Sequence, residues 1–318
     1  MKIIFLGSPE FAVPSLRALA EANDIEVSLV VSQPDRQRTR RKTTPTPVKA
    51  CAESLGIPVI TPEKINRKEV FAQLEAVGAD ALVVIAYGQI IGKTLLSLFP
   101  NRILNIHGSI LPAYRGAAPI QWALLDGRKE TGLTSMLINS EMDAGDILDT
   151  RTLAIKPEEE VQSLTERLSH LAAELVLDTL RNFEQRVAHR RKQPTEGVTY
   201  APKIDKKDSL LDFHKKGEEL VNQVRALAPA PGVRFFVRSK YSNADYRVHR
   251  ARSVVTQLDR EPGTVLFAEP SGIAIVCGDG TFVVEVIQAT NRRAMPVADF
   301  LRGHDFPIGV VLNTEKGQ

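Results

Sequence analysis

The sequence predicts an α/β domain built on a mostly parallel sheet, followed by a small antiparallel β-barrel. Three observations predict it. In the first half, short runs rich in Ile, Val and Leu alternate with helical patterns, which is the signature of βαβ units. A long amphipathic stretch then gives way to a polar, basic segment holding Pro194, Gly197 and Pro202. Beyond it, short strand-like runs recur with turn residues between them, at a spacing suited to an antiparallel barrel.

Taken in order, Lys2–Leu6, Glu26–Val31, Ala81–Ala86 and Arg102–Ile106 read as strands. Near-continuous apolar runs of this kind suit strands covered on both faces by helices. Helices are expected over Pro14–Ala22, Pro47–Leu55 and Lys68–Val77. The first two carry proline in the first turn, where a missing N–H costs nothing. Thr131–Ile138 and Ile147–Ile155 read as further strands. One long helix is predicted from about Glu159 to Glu184, because Val161, Leu164, Leu168, Leu171, Leu175 and Leu180 recur at three-to-four-residue spacing and form one apolar face. Residues 186–207 read as a basic interdomain linker, which sets the boundaries at 1–185 and 208–318. In the second part a helix is expected near Gly217–Leu227. Strands follow at Val233–Val237, Tyr246–Val255, Gly263–Phe267, Gly272–Cys277 and Thr281–Ile287, with a hairpin turn at Gly278-Asp279-Gly280.

At 318 residues, 43% hydrophobic and 25% charged, the chain has room for a real core. The apolar run at the N-terminus meets Pro9 and Glu10 too early for a signal peptide, and no later run has the length of a membrane span. Cys51 and Cys277 are too far apart in sequence for a metal-binding spacing and read as buried small hydrophobes. These features predict a reduced, cytoplasmic protein with no membrane partner. Net charge is only +3, so any polyanion must be met locally. The basic candidates are Arg36, Arg38, Arg40, Arg41 and Lys42, with Lys49 beyond them, and the 186–207 segment. The first turn, Gly7-Ser8-Pro9-Glu10-Phe11, lacks the dinucleotide-binding glycine fingerprint, and no Walker motif occurs. A Rossmann-like sheet here need not mean NAD or ATP.

The densest chemical signal is Asn105-Ile106-His107-Gly108-Ser109-Ile110-Leu111-Pro112-Ala113-Tyr114-Arg115-Gly116. It begins where a predicted strand runs out, and ligands of open α/β sheets bind beyond the carboxyl ends of the strands. Residues two apart on a strand share a face, so Asn105 and His107 can converge on one point. A lone histidine at a strand end is commonly structural, and an Asn near a turn is commonly a cap. Their combination with a Gly/Pro loop separates this pair from the other five histidines. A second loop, Glu141-Met142-Asp143-Ala144-Gly145-Asp146, offers two carboxylates, either of which could orient or polarise His107. That loop lacks the further ligands of a calcium or zinc site, so no metal is expected. An Asn amide donating to a developing oxyanion, beside a histidine and a carboxylate, suits acyl transfer. No Ser or Cys sits in a nucleophile elbow, which favours direct transfer without a covalent intermediate.

The Asn105–Pro112 run with Arg115-Gly116 resembles the signature of the enzymes that use 10-formyltetrahydrofolate. The resemblance extends over nearly the whole chain, through Gly7–Ala12, Gln33–Arg36, Pro45–Lys49, Ala86–Ile90, Arg115–Gln121 and Tyr200–Ile204. It implies a Rossmann-like catalytic domain over 1–185 and a C-terminal barrel resembling the OB fold over 208–318. Asn105, His107 and Asp143 match the family's catalytic residues. Ser109-Ile110-Leu111-Pro112, together with Tyr87, Gly88 and Ile90, is implied to hold the folate. Within the family the match is to the members acting on initiator methionyl-tRNA, with the basic loop Arg36–Lys42 against the acceptor stem. Arg40 and Lys42 fall on basic positions of that loop, whose glycines are replaced here. A monomer is implied as well. The alternatives are a formyltransferase for a small ribonucleotide amine or amino-sugar nucleotide, a non-catalytic RNA-binding protein and, less well matched, a dehydrogenase.

Overall fold

The computed structural model describes residues 1–39, 42–239 and 242–312. The chain divides into two compact units: residues 1–119, 130–154 and 162–202 form the first, and 120–129, 155–161 and 203–318 the second. No helix among the described residues is long and apolar enough to cross a membrane.

The first unit is an α/β sheet with strand order β5-β2-β1-β6-β7-β8-β9. Its strands are β1 (Lys2–Gly7), β2 (Glu26–Val31), β5 (Val59–Ile60), β6 (Ala81–Ile85), β7 (Ile103–His107), β8 (Glu130–Leu137) and β9 (Ile147–Ala154). Pairings from β5 to β7 are parallel, whereas β8 and β9 join antiparallel. From β1 the chain builds one side of the sheet through β2 and β5, then crosses to the other side of β1 to build β6 and β7. The carboxyl ends of β1 and β6 therefore form a topological switch point, where such sheets bind ligands. The short strands β3 (Arg36–Thr39) and β4 (Lys42–Thr44) pair antiparallel apart from this sheet.

The helices form where the sequence supplies their ends. In α2 (Pro47–Ser54), Thr46 accepts a hydrogen bond from the Lys49 N–H at 3.2 Å, and Pro47 opens the first turn. In α3 (Lys68–Val77), Gly78 closes the helix in the left-handed conformation, φ 63°. The remaining helices of the unit are α1 (Val13–Glu21), α4 (Lys93–Leu98), α6 (Val161–Arg181) and α7 (Phe183–Ala188). The long helix predicted to reach Glu184 stops at Arg181 and restarts after Asn182. Leu164, Leu168, Leu175 and Leu180 of α6 are buried, as their spacing predicts. Ile4, Leu6, Leu29, Leu74, Leu82 and Leu95 pack one face of the sheet against the helices. Removing such a side chain to Ala costs about 2–5 kcal/mol.

The second unit includes the C-terminal part of α5 (Pro119–Leu125) and α8 (Gly217–Leu227). Its strands are β10 (Val233–Ser239), β11 (Ser242–Val255), β12 (Val265–Glu269), β13 (Gly272–Cys277), β14 (Gly280–Ala289) and β15 (Met295–Pro296), with α9 (Val297–Phe300) after them. The sheet order is β10-β11-β14-β13-β12, all antiparallel, with β15 on β14. Phe213, Phe235, Tyr246 and Phe306 form its aromatic centre, with ring centroids 5.4–6.4 Å apart. A Cβ on Gly217 would lie 2.6 Å from the Ser253 Cβ, so the start of α8 approaches β11 at glycine distance.

Candidate active site

His107 is the last residue of β7, one position further along the strand than the sequence predicts, and it pairs with Thr134 of β8. Asn105 sits two residues earlier on the same strand face, between Val84 of β6 and Met136 of β8. Its side chain is half-buried and takes no hydrogen bond among the described residues. A pre-placed amide with unused donors is what a developing oxyanion needs.

His107 is buried, and two groups orient its ring. Its Nε2 lies 2.9 Å from the Tyr114 carbonyl oxygen. A carbonyl can only accept, so the Nε2 proton is donated there. The other nitrogen, Nδ1, faces Asp143 Oδ1 at 3.8 Å, longer than a hydrogen bond. Asp143 Oδ2 in turn accepts from the Gly116 N–H at 2.8 Å. Of the two carboxylates that could have served His107, Asp146 turns away and pairs with Arg190 Nε at 3.1 Å.

The loop after His107 is tied to β8. The Thr134 hydroxyl donates to the Ser109 carbonyl at 2.8 Å and accepts from the Leu111 N–H at 3.0 Å. Ser109 is fully buried and donates to the Ala113 carbonyl at 2.6 Å. Leu111 packs with Met136 and Ile147. Within the predicted folate segment, then, the side chains of Ser109 and Leu111 shape the loop, while Ile110 and Pro112 stay half-exposed. The 111–112 peptide bond is cis.

Tyr87, expected as a ligand contact, points its ring into the core beneath the sheet. It is 2% exposed, its hydroxyl has no hydrogen-bond partner among the described residues, and burial pushes its pKa up to about 12. Only its carbonyl serves the edge, accepting from the Ser8 hydroxyl at 3.2 Å and the Gln33 amide at 3.1 Å. Gly88 is exposed beside Gln33 with φ 85°, and the side chain of Ile90 is 86% exposed. An apolar side chain this open at the carboxyl edge suits a flat ring system.

Of the basic loop, Arg40 and Arg41 lie outside the described residues, while the backbones of Arg36, Arg38 and Lys42 belong to β3 and β4. In the predicted linker, Arg186 pairs with Asp149 and Asp178. Residues 189–202 belong to the first unit and are tied into it by an Ile147–Arg191 bridge and an Arg115–Tyr200 bridge. Sequence reasoning missed Gln193 in this stretch. Its amide binds Arg115 and the carbonyls of Asp143 and Gly145. No local pattern marks it, since its partners are distant in sequence. In β11, Arg250 and Arg252 both pair with Glu285, at 3.2 and 3.3 Å. Among the described residues no cluster of three or more His, Cys, Asp or Glu could hold a metal ion.

Residues 1–180 match the formyl transferase family model, and 203–305 match that of the formyl transferase C-terminal domain. A methionyl-tRNA formyltransferase of Geotalea daltonii is 38% identical over 98% of this chain and 98% of its own. One from Symbiobacterium thermophilum is 41% identical, with 97% and 94% covered. Among solved structures, an N-formyltransferase from Helicobacter canadensis, in complex with folinic acid and dTDP-3-aminofucose, superposes with TM-score 0.65 at 17% identity. That match covers 89% of this chain and 98% of the other, and it speaks to the fold alone.

Proposed function

We propose a mechanism for this chain as what it is, a member of the formyl transferase family. It transfers the formyl group of 10-formyltetrahydrofolate to the amino group of methionine on initiator methionyl-tRNA, giving N-formylmethionyl-tRNA. The observation that carries the chemistry is the open Asn105 amide on the strand face it shares with a histidine oriented by a carbonyl and a carboxylate.

Asn105 donates to the formyl oxygen as the amine attacks and negative charge develops there. Because the Nε2 proton is engaged by the Tyr114 carbonyl, His107 meets the same oxygen through Nδ1, which donates to it when the ring carries both protons. The 3.8 Å gap leaves both Nδ1 and Asp143 Oδ1 available to an incoming group. Asp143, anchored by the Gly116 N–H, holds His107 in place and takes the proton of the attacking amine through a water; the proton passes to the folate nitrogen as its bond to the formyl carbon breaks and tetrahydrofolate leaves.

The carboxyl edge fits a folate. Ile90, Ile110 and Pro112 offer apolar surface, and the exposed backbone at Gly88 lies beside it. When bound, the folate supplies the activated formyl carbon, and these residues hold and orient it.

The acceptor is read elsewhere in the chain. Residues 1–185 act as the catalytic domain and 208–318, as an OB-like module, grip the tRNA together with Arg36, Arg38, Arg40, Arg41, Lys42 and the basic 186–207 segment. In this reading the enzyme works in the cytoplasm, where translation-initiation chemistry on tRNA occurs, and as a monomer, which the family resemblance of the sequence supports.

Offering 10-formyltetrahydrofolate with methionyl-tRNA and small amine acceptors in parallel tests the assignment. Transfer to the tRNA-borne amine is expected, and transfer to a small amine alone would overturn it. Phosphate neutralisation releases counterions, so tRNA affinity should fall steeply with salt. The double change Arg40→Gln, Arg41→Gln is expected to raise the KM for tRNA and flatten the log–log salt slope by roughly two, with the folate KM unchanged. A slope identical to that of the parent would remove these residues from the interface.

A further inference from the structure

We propose that Gln193 is a positioning residue for formyl transfer, holding Asp143 against His107 through the backbone of residues 143–145. This rests on the reading of Asp143 as a catalytic carboxylate.

The Gln193 amide is fully used. Its Nε2 donates to the carbonyls of Asp143 and Gly145, at 2.8 and 2.9 Å. Its Oε1 accepts from Arg115 Nε and Nη2, at 3.1 and 2.7 Å. Two donors and two accepting positions are all that a primary amide has. A glutamate of the same shape would pair well with Arg115, but it would turn acceptors toward two carbonyls.

The loop it grips needs an external brace. Asp143 adopts φ 51°, a left-handed conformation that L side chains seldom take. Just before it, Glu141 and Met142 are exposed, Met142 by 66%. The carboxylate is held by the Gly116 N–H, and Gly116 follows Arg115. Gln193 therefore reaches Asp143 twice, through the carbonyls of its loop and through the residue next to its N–H donor.

The same segment also secures the other partner of His107. Thr199 accepts from the Tyr114 N–H at its hydroxyl and from the Arg115 N–H at its carbonyl, both at 2.9 Å. The Ala201 N–H donates to the Arg115 carbonyl at 2.7 Å. Tyr114 carries the carbonyl that holds His107 Nε2. A stretch that composition marks as a linker thus fixes both groups that orient the histidine. Thr199 serves the Tyr114 side, and Gln193 serves Asp143.

Steady-state formylation of methionyl-tRNA by Gln193→Ala and Gln193→Glu, each alone and combined with Asp143→Asn, tests this. Small displacements of catalytic groups carry large rate costs. Both single variants are expected to lower kcat about tenfold and to leave the folate KM within about twofold. In the Asp143→Asn background the same changes should cost less than about twofold, because groups acting as a unit are non-additive. Near-normal turnover in Gln193→Glu would confine the residue to an anchor for Arg115 and overturn the proposal. So would a full additive loss in the Asp143→Asn background, which marks a general structural role. If Gln193→Ala does not fold, Gln193→Glu and Gln193→Met carry the same comparison. Failure of the underlying reading looks different: the unaltered enzyme would not formylate methionyl-tRNA, or Asp143→Asn would be unimpaired.

Discussion

Asn105→Ala is expected to lower kcat by about two to three decades while the protein stays folded and binds folate normally. Loss of one oxyanion donor raises the barrier by about 2.7–4 kcal/mol, and each 1.36 kcal/mol is a factor of ten. The geometry separates this effect from a loss of structure. The backbone of Asn105 is held between Val84 and Met136 by strand pairing, and its side chain is half-buried with no hydrogen bond among the described residues. Truncation therefore leaves no buried group unpaired. Asn105→Asp keeps the shape but replaces the donor with an acceptor, and it should be at least as damaging. Single-turnover transfer from bound 10-formyltetrahydrofolate reads the chemical step directly. An Asn105→Ala rate within threefold of the parent would remove the residue from the mechanism.

Gly145→Ala is expected to destabilise the protein and to lower turnover at the same time. A Cβ at this position would lie 1.6 Å from the Leu137 carbonyl oxygen. Leu137 ends β8, and its N–H donates to the Asp146 carbonyl at 2.9 Å, so the loop folds back tightly against the strand it leaves. The obstacle is backbone and cannot rotate aside. Overpacking costs about 1–3 kcal/mol and sometimes more, and a contact this short belongs at or above the upper end. Because Gly145 shares its loop with Asp143, the shift also moves the carboxylate from His107. Gly303→Ala is the control: nothing lies within 4 Å of its Cβ position, so a change within about 0.5 kcal/mol is expected. An unaltered denaturation midpoint for Gly145→Ala would contradict this account of the loop.

Much of the architecture was legible because burial leaves a periodic trace in the sequence. The apolar runs of β1, β2, β6 and β7 and the leucine stripe of α6 lie where period and composition put them. Boundaries were less legible. The strand expected to end at Ile106 continues to His107, because Thr134 on β8 offers it a partner. The pairing of β3 with β4 also escaped notice, since an arginine-rich run carries no apolar alternation.

The site divides along the same line. That Asn105 and His107 share a face follows from their spacing on a strand, which is a local property, and the Gly/Pro loop beyond them is equally local. Nothing local distinguishes Asp143 from Asp146; the fold decides by turning Asp146 to Arg190 and leaving Asp143 beside His107. Nor does a motif reveal that Tyr87 belongs to the core, or that a residue of the supposed linker binds the Asp143 loop. By itself the sequence determined the chemistry-bearing residue types, the strand that presents them and the folate-dependent family they resemble. The tertiary structure alone decided which carboxylate faces the histidine and what holds it there. The physical reason is range: backbone periodicity acts over a few residues, whereas a hydrogen bond such as Gln193 to Asp143 joins groups 50 positions apart.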